Sequence, residues 1–216
     1  MRLWRGAQHS AEHVIFALVR VVHPKGIRQA KVWLKKAESS AEALRKADQF
    51  DAIESAWLDF LIAAGTIYLK LESACPGTGP VNGWFGRVRE ERKLDPLLRY
   101  IHHARNSAQH GIEDSTDPDA LEWRADLAGR AVVFRGEHPP ISMEWESAAG
   151  GVISIDTFEK RRIVGLKAVF DRGNSFDPPT SHLGQSLPPF LEPINVASMG
   201  LKYLRDLVAT AEFYSS

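Results

Sequence analysis

Cysteine is almost absent: Cys75 stands alone among 216 residues. An internal disulfide and a cysteine-based zinc site are therefore excluded, and a reducing, cytoplasmic setting is the expectation. Net charge is lacking as well, because 27 Lys and Arg balance 27 Asp and Glu. No global field draws the chain to nucleic acid or to an anionic membrane, so polyanion binding has to come from a local patch. Long hydrophobic runs are missing near the N-terminus. The apolar stretch Val14-Ile15-Phe16-Ala17-Leu18-Val19 is broken by Arg20, far short of the ~20 residues of a membrane span. With no signal-peptide pattern either, no membrane association is expected. Internal repeats and low-complexity tracts are not visible.

What is present is ordinary for a soluble globular domain: 44% hydrophobic and 25% charged residues. A single domain over 1–216 is the expectation. Residues 10–22 (SAEHVIFALVRVV) fit a short helix capped by Ser10 or a β-branched strand, with a lean toward helix. His23-Pro24-Lys25-Gly26 ends that segment in either case. Residues 27–48 read as an amphipathic helix, with Ala30, Trp33, Leu34, Ala37, Ala41 and Leu44 at spacings of three and four. Residues 51–73 read as a second helix, apolar on more than one side and hence the most buried. Cys75 to Pro80 is a break, a short helix covers roughly 81–92, and another helix begins at Asp95.

The pattern then changes. Residues 113–122 are acidic and read as a solvated loop. Short strands are predicted at 131–134, 141–145, 152–155 and 163–170, punctuated by Gly136, Pro139-Pro140 and Gly150-Gly151. Residues 171–190 read as loop. A last helix starts near Pro193 and runs to about Tyr214, burying Ile194, Ala197, Leu201, Leu204, Val208 and Ala211. The expected fold is mainly α: a helical bundle with a small antiparallel β insertion at approximately 123–171 and a closing helix at approximately 193–214.

The chemistry concentrates in DPLLRYIHHARNSAQHG, Asp95 to Gly111. Asp95 is a good N-cap, Pro96 suits the first helical position and Gly111 suits the stop. At 100° per residue, Leu97, Tyr100, Ile101, Ala104 and Ala108 share an arc of about 100° that packs on the bundle. The opposite arc holds Arg99, His102, His103, Asn106 and His110, with Arg105 and Gln109 at its border and no acid after the cap. Arg105 and His110 stand about 140° and about 7.5 Å apart, flanking Asn106. Asn106 is four residues before His110, close enough to set its ring. These residue types suit phosphodiester cleavage in RNA. Histidine moves protons near neutral pH, arginine offers a planar fork to non-bridging oxygens, and no metal or other cofactor is required.

The segment Arg105-Asn106-Ser107-Ala108-Gln109-His110, with the lead-in Leu97-Leu98-Arg99-Tyr100-Ile101 and the exit Gly111, resembles the signature helix of the HEPN superfamily. Only this helix is specific; the rest matches in layout, and a β insertion is not part of the minimal fold. The resemblance implies a four- or five-helix bundle with the motif on a late helix. It implies a metal-independent endoribonuclease, a toxin or phage-defence effector, working as a homodimer whose two motif helices face each other. Arg105 would stabilise the scissile phosphate, His110 would be the acid/base group and Asn106 would support both. Arg99, His102, His103 and Gln109 are candidate RNA contacts. In a toxin–antitoxin setting a neutralising partner protein is implied. Other members of the superfamily lack activity and bind nucleotides or proteins, which keeps a non-catalytic binding module open.

Remaining constellations carry less. His102/Asn106 and Asn106/His110 have helical i, i+4 spacing, but asparagine is a poor transition-metal ligand and nothing resembles HExxH, so no metal is expected. Gly77-Thr78-Gly79 follows no strand and lacks the P-loop Lys-Ser/Thr, which makes it a connector. Arg87, Arg89, Arg92 and Lys93, interleaved with Glu90 and Glu91, read as a solvated face that widens a basic surface if it adjoins the motif helix. Trp33, Trp57, Trp84, Trp123 and Trp145 read as packing. Ser181-His182 shows no acid partner in the sequence and no nucleophile elbow.

Overall fold

The computed structural model describes residues 22–75, 79–110, 115–127, 130–135, 143–146, 152–155, 159–188 and 191–215. The segment 10–21 therefore lies outside the described residues. Among them stand five helices: α1 (Pro24–Lys46), α2 (Phe50–Ala74), α3 (Pro80–Leu94), α4 (Pro96–His110) and α5 (Pro193–Phe213). Between α4 and α5 lie β1 (Thr116–Leu127), β2 (Arg130–Arg135), β3 (Met143–Glu146), β4 (Val152–Ile155), β5 (Glu159–Leu166), β6 (Val169–Asp171), β7 (Asn174–Phe176), β8 (Ser181–His182) and β9 (Gln185–Ser186). The protein is mainly helical with small antiparallel strands, as the periodicity predicts.

Local chemistry sets the helix ends. His23 opens α1; whether it also ends the segment expected at 10–22 lies outside the described residues. Its Nδ1 accepts from the Lys25 amide at 3.2 Å, and Pro24 follows at the first turn. Arg45 and Lys46 close α1 where the helix dipole favours cations. Helix α5 begins with a reciprocal box between Glu192 and Asn195. Asp95 serves two helices: its amide donates to the Glu91 carbonyl at the end of α3, and its Oδ1 caps the Leu98 amide of α4 at 2.9 Å.

Helix α2 is the centre. It packs against α1, α4 and α5, so it is apolar on several sides, and Trp57, Phe60, Leu61, Ile67 and Leu71 are essentially inaccessible. By length and composition it would also suffice to cross a membrane, but here its buried positions form the core of the bundle. Gly200 of α5 lets that helix approach: a Cβ there would lie 2.7 Å from Ile101 Cδ1 and 3.3 Å from Phe60 Cζ.

The three-stranded sheet has the order β2-β1-β5, all antiparallel, and β3-β4 form a separate hairpin. Its base is bolted to the bundle by polar contacts. Trp57 Nε1 donates to Ser115 Oγ at 2.9 Å, and the Tyr100 hydroxyl donates to the Lys167 carbonyl at 2.8 Å. Two expectations change here. The acidic run is not wholly loop, because β1 starts at Thr116, and the register shift between Asp117 and Ala120 accommodates Pro118, which has no amide to pair. The run 171–190 also contains the β6-β7 and β8-β9 hairpins, so strands extend from Thr116 to Ser186 rather than over 123–171.

Candidate active site on helix α4

Of the apolar arc of α4, Leu97, Tyr100, Ile101 and Ala104 are 0–6% exposed, as the wheel requires, while Ala108 near the helix end is only half-buried. The polar arc is not an open face. The β6-β7 hairpin lies across it and buries Asn106 to 8% exposure. Arg99 and Gln109 remain exposed, while His102, His103 and Arg105 are half-buried. His110 is the last residue of α4; its side chain is outside the described set.

Asn106 is the hub of a hydrogen-bond network. Its Nδ2 donates to Asp171 Oδ2 at 2.9 Å, and the same oxygen lies 2.8 Å from His103 Nδ1. A carboxylate only accepts, so His103 carries its hydrogen on Nδ1 and Asn106 presents its nitrogen to Asp171. Asn106 Oδ1 then faces the other way and accepts from Arg105 Nη1 at 3.2 Å. The second amide hydrogen points toward His102 Nε2 at a long 3.5 Å. His103 is also stacked on Phe176, with ring centroids 3.5 Å apart and planes 8° apart.

Electrostatics agree with these roles. Burial holds His102 neutral and pushes its pKa down to about 4, with Arg92, His103 and Arg105 adding repulsion that the Asp171 charge only partly offsets. For Asp171, burial alone would raise the pKa. Hydrogen bonds from Asn106 and His103 outweigh it, and the carboxyl sits below its ordinary range.

Arg105 is gripped, and no described acid neutralises it. Its Nε, Cδ and Cγ lie 3.1, 3.3 and 3.5 Å from where a Cβ on Gly65 of α2 would stand, so the absent side chain makes room for the arginine. Its Nε is buried with no acceptor. Among the described residues no carboxylate forms an ion pair with Arg105.

A second acid–imidazole pair fixes the start of the helix. Asp95 Oδ1 lies 3.0 Å from His182 Nδ1, and Asp95 Oδ2 accepts from the Leu183 amide. His182 thus has the acid partner that the sequence does not reveal. Asp95 is 5% exposed and His182 14%. Burial would raise the Asp95 pKa, but the amides of Leu183 and Leu98 and the His182 ring hold it low.

Both hairpins use one device. Arg172-Gly173 and Leu183-Gly184 have positive φ at both central positions (51° and 79°, 47° and 77°), the two-residue turn that matches strand twist. The residue just before each turn, Asp171 or His182, docks on α4. The left-handed conformation costs a non-glycine residue about 1–2 kcal/mol, and docking holds each turn in place. The clue available in the sequence is the pair of X-Gly dipeptides in a stretch read as loop.

The basic face of α3 is mostly committed. Arg89 pairs with Glu72 and Lys93 with Glu90, and Tyr203 of α5 donates to Glu91. Arg92 instead lies over the Tyr68 ring, 4.7 Å from its centroid. Trp57 and Trp84 are buried packing residues, as expected. Comparison with protein-family models, with curated proteins and with solved structures returns no match for this chain.

Proposed function

We propose that this chain is a HEPN-like, metal-independent endoribonuclease, a toxin or phage-defence effector of the cytoplasm that works as a homodimer with two α4 helices facing each other. One observation carries the reading. Arg105 is oriented by Asn106 Oδ1 and set against Gly65, yet pairs with no carboxylate among the described residues. A half-buried guanidinium held in this way is a preorganised donor for an anion, and orienting it in advance lowers the cost of binding the charge that develops at phosphorus. His110 follows Asn106 by one turn of the same helix. In the reaction, His110 takes the proton of a 2′-hydroxyl and the 2′-oxygen attacks phosphorus. The P–O5′ bond then breaks, and the leaving oxygen takes a proton from the facing acid/base group. The products are a 2′,3′-cyclic phosphate and a 5′-hydroxyl. No step calls for a metal. A neutralising partner protein belongs to the same reading where the setting is toxin–antitoxin.

A second reading, a non-catalytic HEPN-like module that binds a nucleotide or a protein, is favoured by the β6-β7 hairpin. Asn106 and His103 spend their hydrogen bonds on Asp171, which suits a docking face as well as a catalytic one. RNA cleavage in EDTA separates the two. The ribonuclease reading expects Arg105→Ala and His110→Ala each to reduce the rate at least 100-fold with unchanged circular dichroism. Cleavage that survives both substitutions overturns it, and RNA binding without turnover selects the module.

A further inference from the structure

The two arginines on this side of the bundle share a floor. Gly65, under Arg105, and Tyr68, under Arg92, are three residues apart on α2 and so neighbour each other across one turn, about 4.5 Å along the axis. Arg92 comes from the end of α3 and Arg105 from the middle of α4, so two separate helices lay an arginine over neighbouring turns of α2. His102, one turn before Arg105, stands close enough to both arginines to feel their charge.

Among the described residues carboxylates do not neutralise the pair. Glu91, Asp95 and Asp171 are each committed elsewhere: Glu91 to the Tyr203 hydroxyl, Asp95 to His182 and two backbone amides, Asp171 to His103 and Asn106. Among the described residues neither Arg92 nor Arg105 has an acid partner, whereas Arg89 and Lys93 on the same helix do. Like charges over one face of α2 repel, and where the described acids are spent on other groups a dianionic ligand relieves that repulsion. Tyr68 reinforces the geometry. Its ring is 5% exposed, its hydroxyl is buried, and its face fixes the Arg92 stem through a cation–π contact.

We infer that Arg92 and Arg105 form a two-site clamp for consecutive phosphates of one RNA strand, with Arg105 on the scissile phosphate and Arg92 on its neighbour. This deepens the ribonuclease reading and rests on it for the scissile assignment; the clamp itself requires no turnover. Arg92 is then the residue that sets which phosphate enters the site, and it belongs to a helix that the Arg-x4-His pattern does not include.

The test uses the full-length protein and a single-stranded oligoribonucleotide with 2′-O-methyl groups, which binds but cannot be cleaved. Dissociation constants are measured across a salt series for the wild type, Arg92→Gln, Arg92→Met and Arg92→Lys. Each phosphate contact on a single strand contributes about 0.7 to the slope of log K against log salt. Arg92→Gln and Arg92→Met are expected to weaken binding about 10-fold and to lower the slope by about 0.7. Met retains the stem over Tyr68, so loss in both variants points to charge rather than packing, and Lys should restore the slope. An unchanged slope in the Met variant overturns the clamp. If the wild type cuts no RNA in EDTA while the Arg92 slope effect holds, the clamp stands and the ribonuclease reading falls. If it cuts RNA and Arg92→Met leaves slope and affinity unchanged, the ribonuclease reading stands and the clamp falls.

Discussion

In the bundle, Phe60, Leu61 and Ile67 of α2 are fully buried and Gly200 admits α5 to within contact of Phe60. In the two hairpins after β5 the strands have two or three residues each, and each hairpin is attached at α4 through an acid–imidazole pair and its immediate neighbours, Asn106 and Phe176 in one and the Leu183 amide in the other. The first region is held by area removed from water. The second sets Val169 in the apolar core and Phe176 and Leu187 against it, but leans on directional contacts that work only when every member is satisfied. The site on α4 lies where the two meet: its apolar arc belongs to the bundle and its polar arc to the hairpins. A protein built this way can keep a rigid scaffold while the cover over Asn106 and His103 is held by groups that titrate.

The largest expected effect tests the first half of that contrast. Phe60→Ala should destabilise the protein by about 3–5 kcal/mol, because the ring touches Trp57 and the space left by Gly200 and collapse around a fixed helix pair is limited. Urea unfolding followed by far-ultraviolet circular dichroism measures it. A loss below about 1 kcal/mol would mean that the bundle repacks freely and that α2 is not the rigid floor under Arg105.

How much of this was legible in the sequence follows the same division. Helices α1, α2 and α5 announce themselves because apolar residues recur at three and four over five or more turns, and the Asp95-Pro96 start of α4 is written in the cap. Hairpins of two or three residues have no period to read. Asp171 is 68 residues from His103, and His182 is 87 from Asp95, so no local pattern links them. Asp95 looks fully used as a cap, which hides its second partner. The α4 wheel puts Arg105, Asn106, His102 and His103 on one side, where hydrogen bonds link them to Asn106 or its partner Asp171, but it cannot say what covers them, and Asn106 is one of the buried polar residues. Arg92 is read as one more charge on a solvated face; its separation from Arg89 and Lys93 depends on Tyr68, a contact between helices.

Asp171→Ala tests the other region and should cost less. It removes the acceptor for both Asn106 Nδ2 and His103 Nδ1, and leaving such buried donors unpaired costs about 1–3 kcal/mol. Amide exchange over 169–176 should accelerate while exchange in α2 changes little. If the loss equals that of Phe60→Ala and α2 exchanges with the hairpin, the two regions unfold as one unit and the contrast between them is broken.

The smallest effect is the pH dependence, and it separates the regions by kind rather than by size. His102 has an ordinary pKa near 6.5 when unfolded and about 4 when folded. The unfolded chain binds the proton more readily, so this contribution to stability is fully present above pH 6.5 and is lost as pH falls toward 4. Asp95 and Asp171 are also held low, so their contribution is lost at still lower pH, below the usual carboxylate range. The urea midpoint of the wild type should therefore fall between pH 7 and pH 5, and His102→Gln should flatten that decline. Phe60→Ala should lower the midpoint at both values while keeping the slope with pH, since apolar burial has no proton to exchange. A His102→Gln variant with the full wild-type decline would show that some other group senses the acid, and that the neutral imidazole beside Asn106, Arg92 and Arg105 is not what ties the hairpin cover to pH.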